Sequence, residues 1–190
     1  MIPHLTVRVL NEAGFKEAML GLSLNKDQPI ENMPKVAAKL APLDLGHSKF
    51  LEQMIIWLEV RAPRYWWQEA STYRLSSTSS QSTMHTALKH SLEESDFEDF
   101  INPKYLETLN NYVTTKDLLK LKTMLPEGFL QKRMWMMSYK TLRNIILQRY
   151  HHRLPHWKIF CDQIKRQVDH PEFLPFEELE KNKEIQNDQE

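Results

Sequence analysis

Hydrophobic and polar positions alternate along two short segments of this chain. In the segment 53–61, Ile56, Leu58 and Val60 fall on one face and the residues between them fall on the other. This two-residue period is that of a half-buried strand. The segment 4–10, "HLTVRVL", alternates in the same way and is rich in β-branched residues, so it predicts a first strand.

Other segments repeat their hydrophobic residues at helical spacing. Helices are predicted over residues 13–24, 30–43, 63–74, 104–124, 139–150 and 156–168, with a turn and a strand over 125–138. Strands and helices are mixed along the chain, which predicts an α/β or α+β class in one domain. We expect this domain to span residues 1–175 and a charged, mobile tail to follow at 176–190.

The helix predicted over 139–150 carries an arginine on its apolar face. Leu142, Ile145 and Ile146 define that face, with the spacing i, i+3, i+4. One turn further, at i+7, stands Arg149. Two hypotheses fit: a buried structural ion pair, or a guanidinium presented to a planar ligand or a phosphate, which it can contact through two hydrogen bonds.

The stretch Thr72–His85, "TYRLSSTSSQSTMH", is dominated by hydroxyl side chains. On composition it predicts a flexible polar loop. The alternative is a loop whose hydroxyls and backbone N–H groups hold phosphate oxygens, because hydroxyls donate hydrogen bonds with adaptable geometry and a Ser or Thr can begin a helix there.

Charge and cysteine content limit the function classes. Lys and Arg number 25, Asp and Glu also number 25, and the formal net charge is +0. This balance argues against a nucleic-acid polymer as the main partner. The apolar runs are too short to span a membrane, no signal-peptide pattern is present, and the single cysteine excludes an internal disulfide. We therefore expect a cytoplasmic protein in a reducing compartment, without a membrane partner.

A metal site is not expected. The spacing of His151, His152 and His156 fits no strong zinc signature. Cys161 falls on the apolar face of its predicted helix, which favours inert core packing over a nucleophilic role.

Two segments together resemble the flavin-dependent thymidylate synthases, the ThyX family. The first, from 46 to 85, follows without a gap the family pattern GH…FEH…F.VKAP and RHRxxSxNExSxRY; the matching residues are Gly46, His47, Glu52, Val60, Ala62, Pro63, Arg74, Ser77 and Ser82. The second, from 125 to 160, is similar to LP…(W/F)…N.R.L..F..LR…QWEI; the matching residues are Leu125, Pro126, Leu142, Asn144, Arg149 and Trp157.

The resemblance implies a fold and a chemistry. The fold would be a central, mostly antiparallel sheet flanked by helices. The protein would be a homotetramer with composite sites, in which FAD lies between subunits and a pyrimidine deoxynucleotide stacks on it. The reaction would be reductive methylation of dUMP to dTMP, with methylenetetrahydrofolate as carbon donor and NADPH as reductant of the flavin.

The resemblance also assigns roles to individual residues. Catalytic roles fall on Arg149 and Ser82. The nucleotide is expected to contact Glu69, Ser80, Gln81, Ser82, Thr83, Lys122 and Arg149. The flavin is expected to contact His47, Thr72, Tyr73, Arg74, Ser77, Ser79, Lys140 and Asn144.

Several signature positions depart from the family pattern. The substituted residues are Thr72 and Tyr73 for Arg-His, Ser79 and Ser80 for Asn-Glu, Met84 for Arg, Glu69 for Gln, Lys122 for Arg, and Ser138 and Lys140 for Asn and Arg. These changes exchange charged groups for hydroxyls in the signature loop. They leave two alternatives open: an enzyme of the same fold that modifies another pyrimidine nucleotide or uses another carbon donor, and a non-catalytic nucleotide-binding oligomer.

Overall fold

A computed structural model describes residues 3–43 and 46–180 of the chain. The strands are β1 (Thr6–Ala13), β2 (Ile55–Pro63), β3 (Ser76–Ser80) and β4 (Leu130–Ser138). The helices are α1 (Phe15–Lys26), α2 (Met33–Leu40), α3 (Arg64–Ala70), α4 (Thr83–Thr86), α5 (Pro103–Thr114), α6 (Leu118–Met124), α7 (Tyr139–Arg149) and α8 (Pro155–Lys165). Single 3₁₀ turns occur at Ile30–Asn32, Lys49–Glu52, Glu94–Asp96 and Pro171–Phe173.

The four strands form one antiparallel sheet in the order β1-β2-β4-β3. Helices flank the sheet, so the predicted class and the single-domain architecture are confirmed. The predicted faces of β2 are also correct, because Ile56, Leu58 and Val60 are fully buried. Trp57, on the opposite face, is half-buried.

The main core lies between the covered face of the sheet and the helices. Trp66 and Trp67 of α3 pack there against Trp135 of β4 and Trp157 of α8, with ring centroids about 5–6 Å apart. Such large rings remove much apolar area from water and contribute a large share of the stability of a core. Cys161 of α8 is buried in the same cluster.

Helix α8 also covers the outer edge of β1. Gln163 accepts a hydrogen bond from the backbone N–H of Val7 at 2.7 Å and donates to the carbonyl of Leu5 at 2.9 Å. Gln167, one turn later, bonds in the same manner to Val9 and Val7. The two amides therefore satisfy backbone groups that an edge strand would otherwise leave to water.

A second, smaller hydrophobic cluster lies outside the sheet. It contains Ala87, Leu92, Phe97, Ile101, Leu109, Val113, Leu121 and Leu125. The region predicted as helical from 104 to 124 contains two helices, α5 and α6. They are separated at Lys116, whose φ of 58° is left-handed and ends the first of them.

The Ser/Thr stretch corrects two sequence predictions. Residues 76–80, expected as a polar loop, form β3 and pair with β4. The helix expected to reach Arg74 ends at Ala70, because the hydroxyls of Ser71 and Thr72 bond to the carbonyls of Trp67 and Glu69 and compete with further helical turns.

The start of the predicted tail packs against the domain. Residues 176–180 are helical, and Phe176 and Leu179 belong to the main core. Glu178 accepts two hydrogen bonds, at 2.7 and 2.6 Å, from the buried guanidinium of Arg143. Residues 176–180 therefore pack with the domain, and the remainder of the predicted tail lies outside the described residues. Within the described ranges, no helix is both long and apolar enough to cross a bilayer.

Candidate functional site

Arg149, at the end of α7, lies against Glu69 at the end of α3. Its Nη1 is 3.2 Å from Glu69 Oε2, and its Nε donates to the Tyr73 hydroxyl at 2.8 Å. The guanidinium carbon lies 5.0 Å from the centre of the Trp157 ring, a favourable cation–π arrangement. The ion pair that the sequence suggested is present, but the arginine side chain remains 19% exposed and so can still meet a ligand.

Glu69 is the centre of this cluster. Its Oε2 also accepts a hydrogen bond of 2.7 Å from the indole N–H of Trp157, and His152 Nε2 lies 3.9 Å away. The carboxylate side chain is 36% exposed. A carboxylate only accepts hydrogen bonds, so this cluster presents an acceptor beside the guanidinium donor.

A cationic cavity of about 310 Å³ lies near the other end of α3. Its lining residues are Arg64, Gln68, Thr83, Lys122, Leu125, Gln131 and Arg133. Arg133 stacks on the Trp67 ring at 4.5 Å, and one of its terminal nitrogens donates to Gln131 Oε1 at 3.0 Å. Its Nε is buried and has no hydrogen-bond partner among the described residues. Burial lowers the pKa of this guanidinium, so an anion in the cavity would favour its charged form.

Ser80 to Thr83 lead from β3 into this cavity. Ser80 pairs with Arg133 across the sheet, and the backbone N–H of Gln81 donates to the Lys132 carbonyl at 2.9 Å. Ser82 then precedes α4, and Thr83 lines the cavity together with Lys122. Of the residues to which the resemblance assigned nucleotide contacts, Thr83 and Lys122 therefore line this cavity, and Ser80, Gln81 and Ser82 lead directly to it along the chain.

The serines predicted to contact the flavin point to the other face of the sheet. Ser77 and Ser79 pair with Met136 and Met134 of β4, which in turn pair with Trp57 and Glu59. Residues opposite each other in a ladder share a face. Both serines are exposed. The alternation of β3 thus separates these two hydroxyls from Ser80 and the cationic cavity.

The other flavin candidates form two further groups. Thr72 and Tyr73 adjoin the Arg149 cluster through their hydroxyls, and Arg74 is exposed beside them. His47 lines a separate cavity of about 220 Å³ between α1, α2 and the 3₁₀ turn at 49–52.

The last two flavin candidates lie one turn apart on α7. Lys140 donates to the buried hydroxyl of Ser48 at 2.6 Å, next to His47 in the chain. Asn144 follows on the same side of the helix and is exposed.

One protomer does not assemble the predicted site into a single pocket. The structure gathers Arg149, Glu69, Tyr73 and Thr72 in one place, and Lys122, Thr83 and Ser80 in another. Ser77 and Ser79 lie on the open sheet face, and His47 with Lys140 and Asn144 at a further position.

Sequence reasoning missed several polar residues of these sites. Arg64, Arg133, Gln68 and Gln131 line the cationic cavity but were not assigned a role. For Arg133 a signal was present: it interrupts the apolar side of β4, just as Arg149 interrupts that of α7.

Two of the remaining candidate groups, His156 and Cys161, are buried. His156 is buried against Glu98 at 2.8 Å, and burial raises the pKa of the Cys161 thiol to about 12. Such a thiol is a poor nucleophile at neutral pH. Across residues 3–43 and 46–180, no three His, Cys, Asp or Glu side chains are grouped to hold a metal ion.

Two solved structures of flavin-dependent thymidylate synthases have a similar fold. A flavin-dependent thymidylate synthase ThyX from Helicobacter pylori, complexed with FAD and dUMP, superimposes with a TM-score of 0.77 at 15% identity, covering 88% of this chain and 97% of that one. A second structure of Thymidylate Synthase X from Helicobacter pylori, with FAD and dUMP, gives 0.73 at 16% identity, covering 90% and 97%. No family model and no curated protein sequence matches the chain. The chain therefore has the fold of the flavin-dependent thymidylate synthases.

Proposed function

We propose that the protein is a cytoplasmic, flavin-dependent thymidylate synthase-like enzyme. It binds FAD and a pyrimidine deoxynucleotide and methylates dUMP to dTMP, with methylenetetrahydrofolate as carbon donor and NADPH as reductant. The bound flavin would supply the hydride, and the residues of the chain would bind and orient the substrates.

The observation that carries the proposal is the cationic cavity beside α4. Three cations line it, from Arg64, Lys122 and Arg133. Arg64 is paired with Glu127 at 3.4 Å, so Lys122 and Arg133 supply most of the positive charge that the cavity offers to an anion. Thr83 adds a hydroxyl at the same place. Guanidinium, ammonium and hydroxyl donors together match the oxygens of a phosphate. The phosphate of the nucleotide would bind there, with the cations replacing the arginine that Met84 does not supply.

The base would meet the cluster around Arg149. The guanidinium can donate to a carbonyl of the pyrimidine ring, while Glu69 can accept from an N–H group. Because Glu69 lies 3.2 Å from Arg149, the pair is close to neutral. It therefore favours a neutral base over an anionic one, and Arg149 acts by orienting the ring as well as by its charge.

The residues assigned to the flavin fit an interfacial cofactor. Ser77, Ser79, Arg74 and Asn144 are all exposed, and they offer hydroxyl, guanidinium and amide groups suited to a pyrophosphate and to polar ring edges. No single protomer encloses these groups. We therefore propose a homotetramer in which a second subunit covers the open sheet face and completes each site.

A second candidate function is supported by Glu69. A glutamine at this position both donates and accepts hydrogen bonds, whereas a glutamate only accepts. An acceptor pairs well with the exocyclic amino group of cytosine and less well with the O4 carbonyl of uracil. An enzyme of the same fold that modifies a cytosine nucleotide is therefore the alternative.

The first experiment is a visible absorption spectrum of the purified protein with FAD, before and after addition of dUMP. Flavin bands that shift with dUMP are expected, because the nucleotide would stack on the ring in a shared site. Protein that retains no FAD and gives no shift would refute the proposed enzyme. Nucleotide binding without flavin would instead support a non-catalytic oligomer.

The same titration with dCMP separates the two candidate substrates. If dUMP is the substrate, it should bind more tightly than dCMP and should yield dTMP. If dCMP binds more tightly, Glu69→Gln should reverse the order of the two affinities. A variant that lowers both affinities equally would show that Glu69 only positions Arg149.

A further inference from the structure

A separate cavity of about 380 Å³ opens between α3, the segment 97–102 and α5. None of its lining residues has a role in the proposed nucleotide or flavin sites. Its volume is in the range of small-molecule sites, about 300–1,000 Å³. Its wall is mostly apolar, with a few acidic groups.

Four aromatic rings contribute to the wall. They belong to Tyr65, Phe97, Phe100 and Tyr105. The Tyr105 hydroxyl donates to the Met124 carbonyl, and the Phe97 ring packs edge-on against Phe129 with centroids 5.8 Å apart. These contacts fix the Tyr105 and Phe97 rings before any ligand arrives. Phe100 is 76% exposed, so its ring stands at the mouth of the cavity.

Two carboxylates belong to the same wall, and no lysine or arginine does. Asp99 is exposed, whereas Glu98 is only 5% exposed. Glu98 Oε1 accepts from the backbone N–H of His4 at 3.0 Å and lies 2.8 Å from His156 Nε2. Its Oε2 has no hydrogen-bond partner among the described residues. Glu98 thus brings a buried, incompletely satisfied carboxylate to the cavity, where charge is weakly screened.

The negative charge of Glu98 acts electrostatically on Tyr65, one of the aromatic residues of the wall. The pKa of the Tyr65 phenol is raised to about 12, by burial first and by the negative charge of Glu98 second. The Tyr65 hydroxyl lies 3.1 Å from His156 Nε2, and the two rings meet edge to face. Both the ring faces and the carboxylate therefore favour a positive charge in the cavity.

We propose that this cavity is a binding site for a small organic ammonium ion. Aromatic faces attract a cation through their quadrupole, and they do so best when the cation is large and weakly hydrated, as a quaternary ammonium is. The two carboxylates of the wall also attract a positive charge. The site is independent of the proposed flavin chemistry and lies in a different part of the fold.

The test compares choline with 3,3-dimethylbutan-1-ol, which has the same shape without the charge. Binding of each to the full chain is followed by saturation-transfer NMR. Choline should bind about 3- to 30-fold more tightly, the range expected for a cation–π contribution. Equal affinities, or no binding of choline, would overturn the proposal.

Two variants locate the binding. Phe100→Ala removes an exposed ring, so it should fold normally and weaken choline binding; Leu119→Ala, at a residue 78% exposed on α6, is the matched control and should change nothing. Glu98→Gln should reduce the preference for choline over the neutral alcohol. Choline binding that is unchanged in Phe100→Ala would exclude this cavity.

Discussion

At one edge of the sheet β1 is covered by two glutamine side chains, one from α8 and one from the turn that follows it, and at the other edge β3 exposes a run of serine and threonine. Gln163 and Gln167 each make a donor and an acceptor contact with the backbone of β1. All but the first residue of β3 are exposed. One edge is thus completed within the chain, and the other is left open to contacts from outside.

The two edge strands are protected in different ways from pairing with another chain. An unpaired strand edge can pair with another chain, and proteins limit this by covering the edge or by keeping the strand short. β1, with eight residues, is covered, whereas β3 has only five. The hydroxyls of β3 are therefore available for ligands, and the chain that leaves it passes directly into the cationic cavity. We propose that β1 serves stability and β3 serves recognition.

The largest effect is expected in the cavity at the end of β3. Lys122→Ala removes a charged donor to the phosphate, and we expect dUMP affinity to fall by about 1.5–3 kcal/mol, roughly 10- to 150-fold. Titration of dUMP at two salt concentrations measures the loss and the change in salt dependence. Lys120→Ala on the same helix, where the side chain is 65% exposed and pairs with Asp117, should leave dUMP affinity unchanged. An equal loss in both variants would remove Lys122 from the phosphate site.

The β1 edge is tested by stability. Gln163→Leu leaves the backbone N–H of Val7 and the carbonyl of Leu5 without their side-chain partner, so the free energy of unfolding should fall by about 1–3 kcal/mol. Gln167→Leu should cost less, because Gln167 is exposed and water can replace its amide. Urea unfolding gives both values. The exposed Gln28→Leu is the control and should stay within about 0.5 kcal/mol; a similarly small loss in Gln163→Leu would mean that α8 does not support this edge.

The proposed role of β3 is tested by FAD binding, which should weaken in variants whose stability is unchanged. Ser77→Ala and Ser79→Ala should each weaken FAD binding by about 0.5–1.5 kcal/mol, the net contribution of one hydrogen bond. Unfolding in urea should change little. Thr78→Ala is the matched control, because Thr78 lies on the other face of the same strand. If all three variants bind FAD as well as the original chain does, β3 does not contact the flavin.

The stability contributed by α8, which covers the β1 edge, is expected to depend on alkaline pH through Cys161. Burial raises the folded-state pKa of Cys161 from 9.0 to about 12. The folded thiol therefore keeps its proton while the unfolded thiol loses it, and stability that is complete below pH 9 declines as the pH rises toward 12. The loss should reach about 1 kcal/mol by pH 10. Cys161→Ala should show a smaller decline in the urea midpoint between pH 9 and 10, and an identical decline would rule out this cause.

Local patterns were enough to predict the strands and helices whose buried residues recur at regular spacing in the sequence. The buried face of β2 follows from alternation alone, and Arg149 is identifiable as unusual because its charge interrupts a helical apolar face. In contrast, β3 carries no hydrophobic alternation and exists because β4 offers it a partner more than 50 residues later. Glu98 and His156, 58 residues apart, meet only in the folded chain. Polar contacts of this kind leave no periodic pattern in the sequence. The same holds for most of the residues that line the cationic cavity, because they come from separate parts of the chain.

The buried cysteine of α8 has a practical consequence for labelling. The chain contains a single cysteine, and its thiol is inaccessible and stays protonated at the pH of maleimide reactions. A thiol-reactive dye or spin label would therefore not react with the native chain. One cysteine introduced at the exposed position of Ser79 would be the sole reactive thiol, and a label there would report on the surroundings of β3 without any native residue being removed from the core.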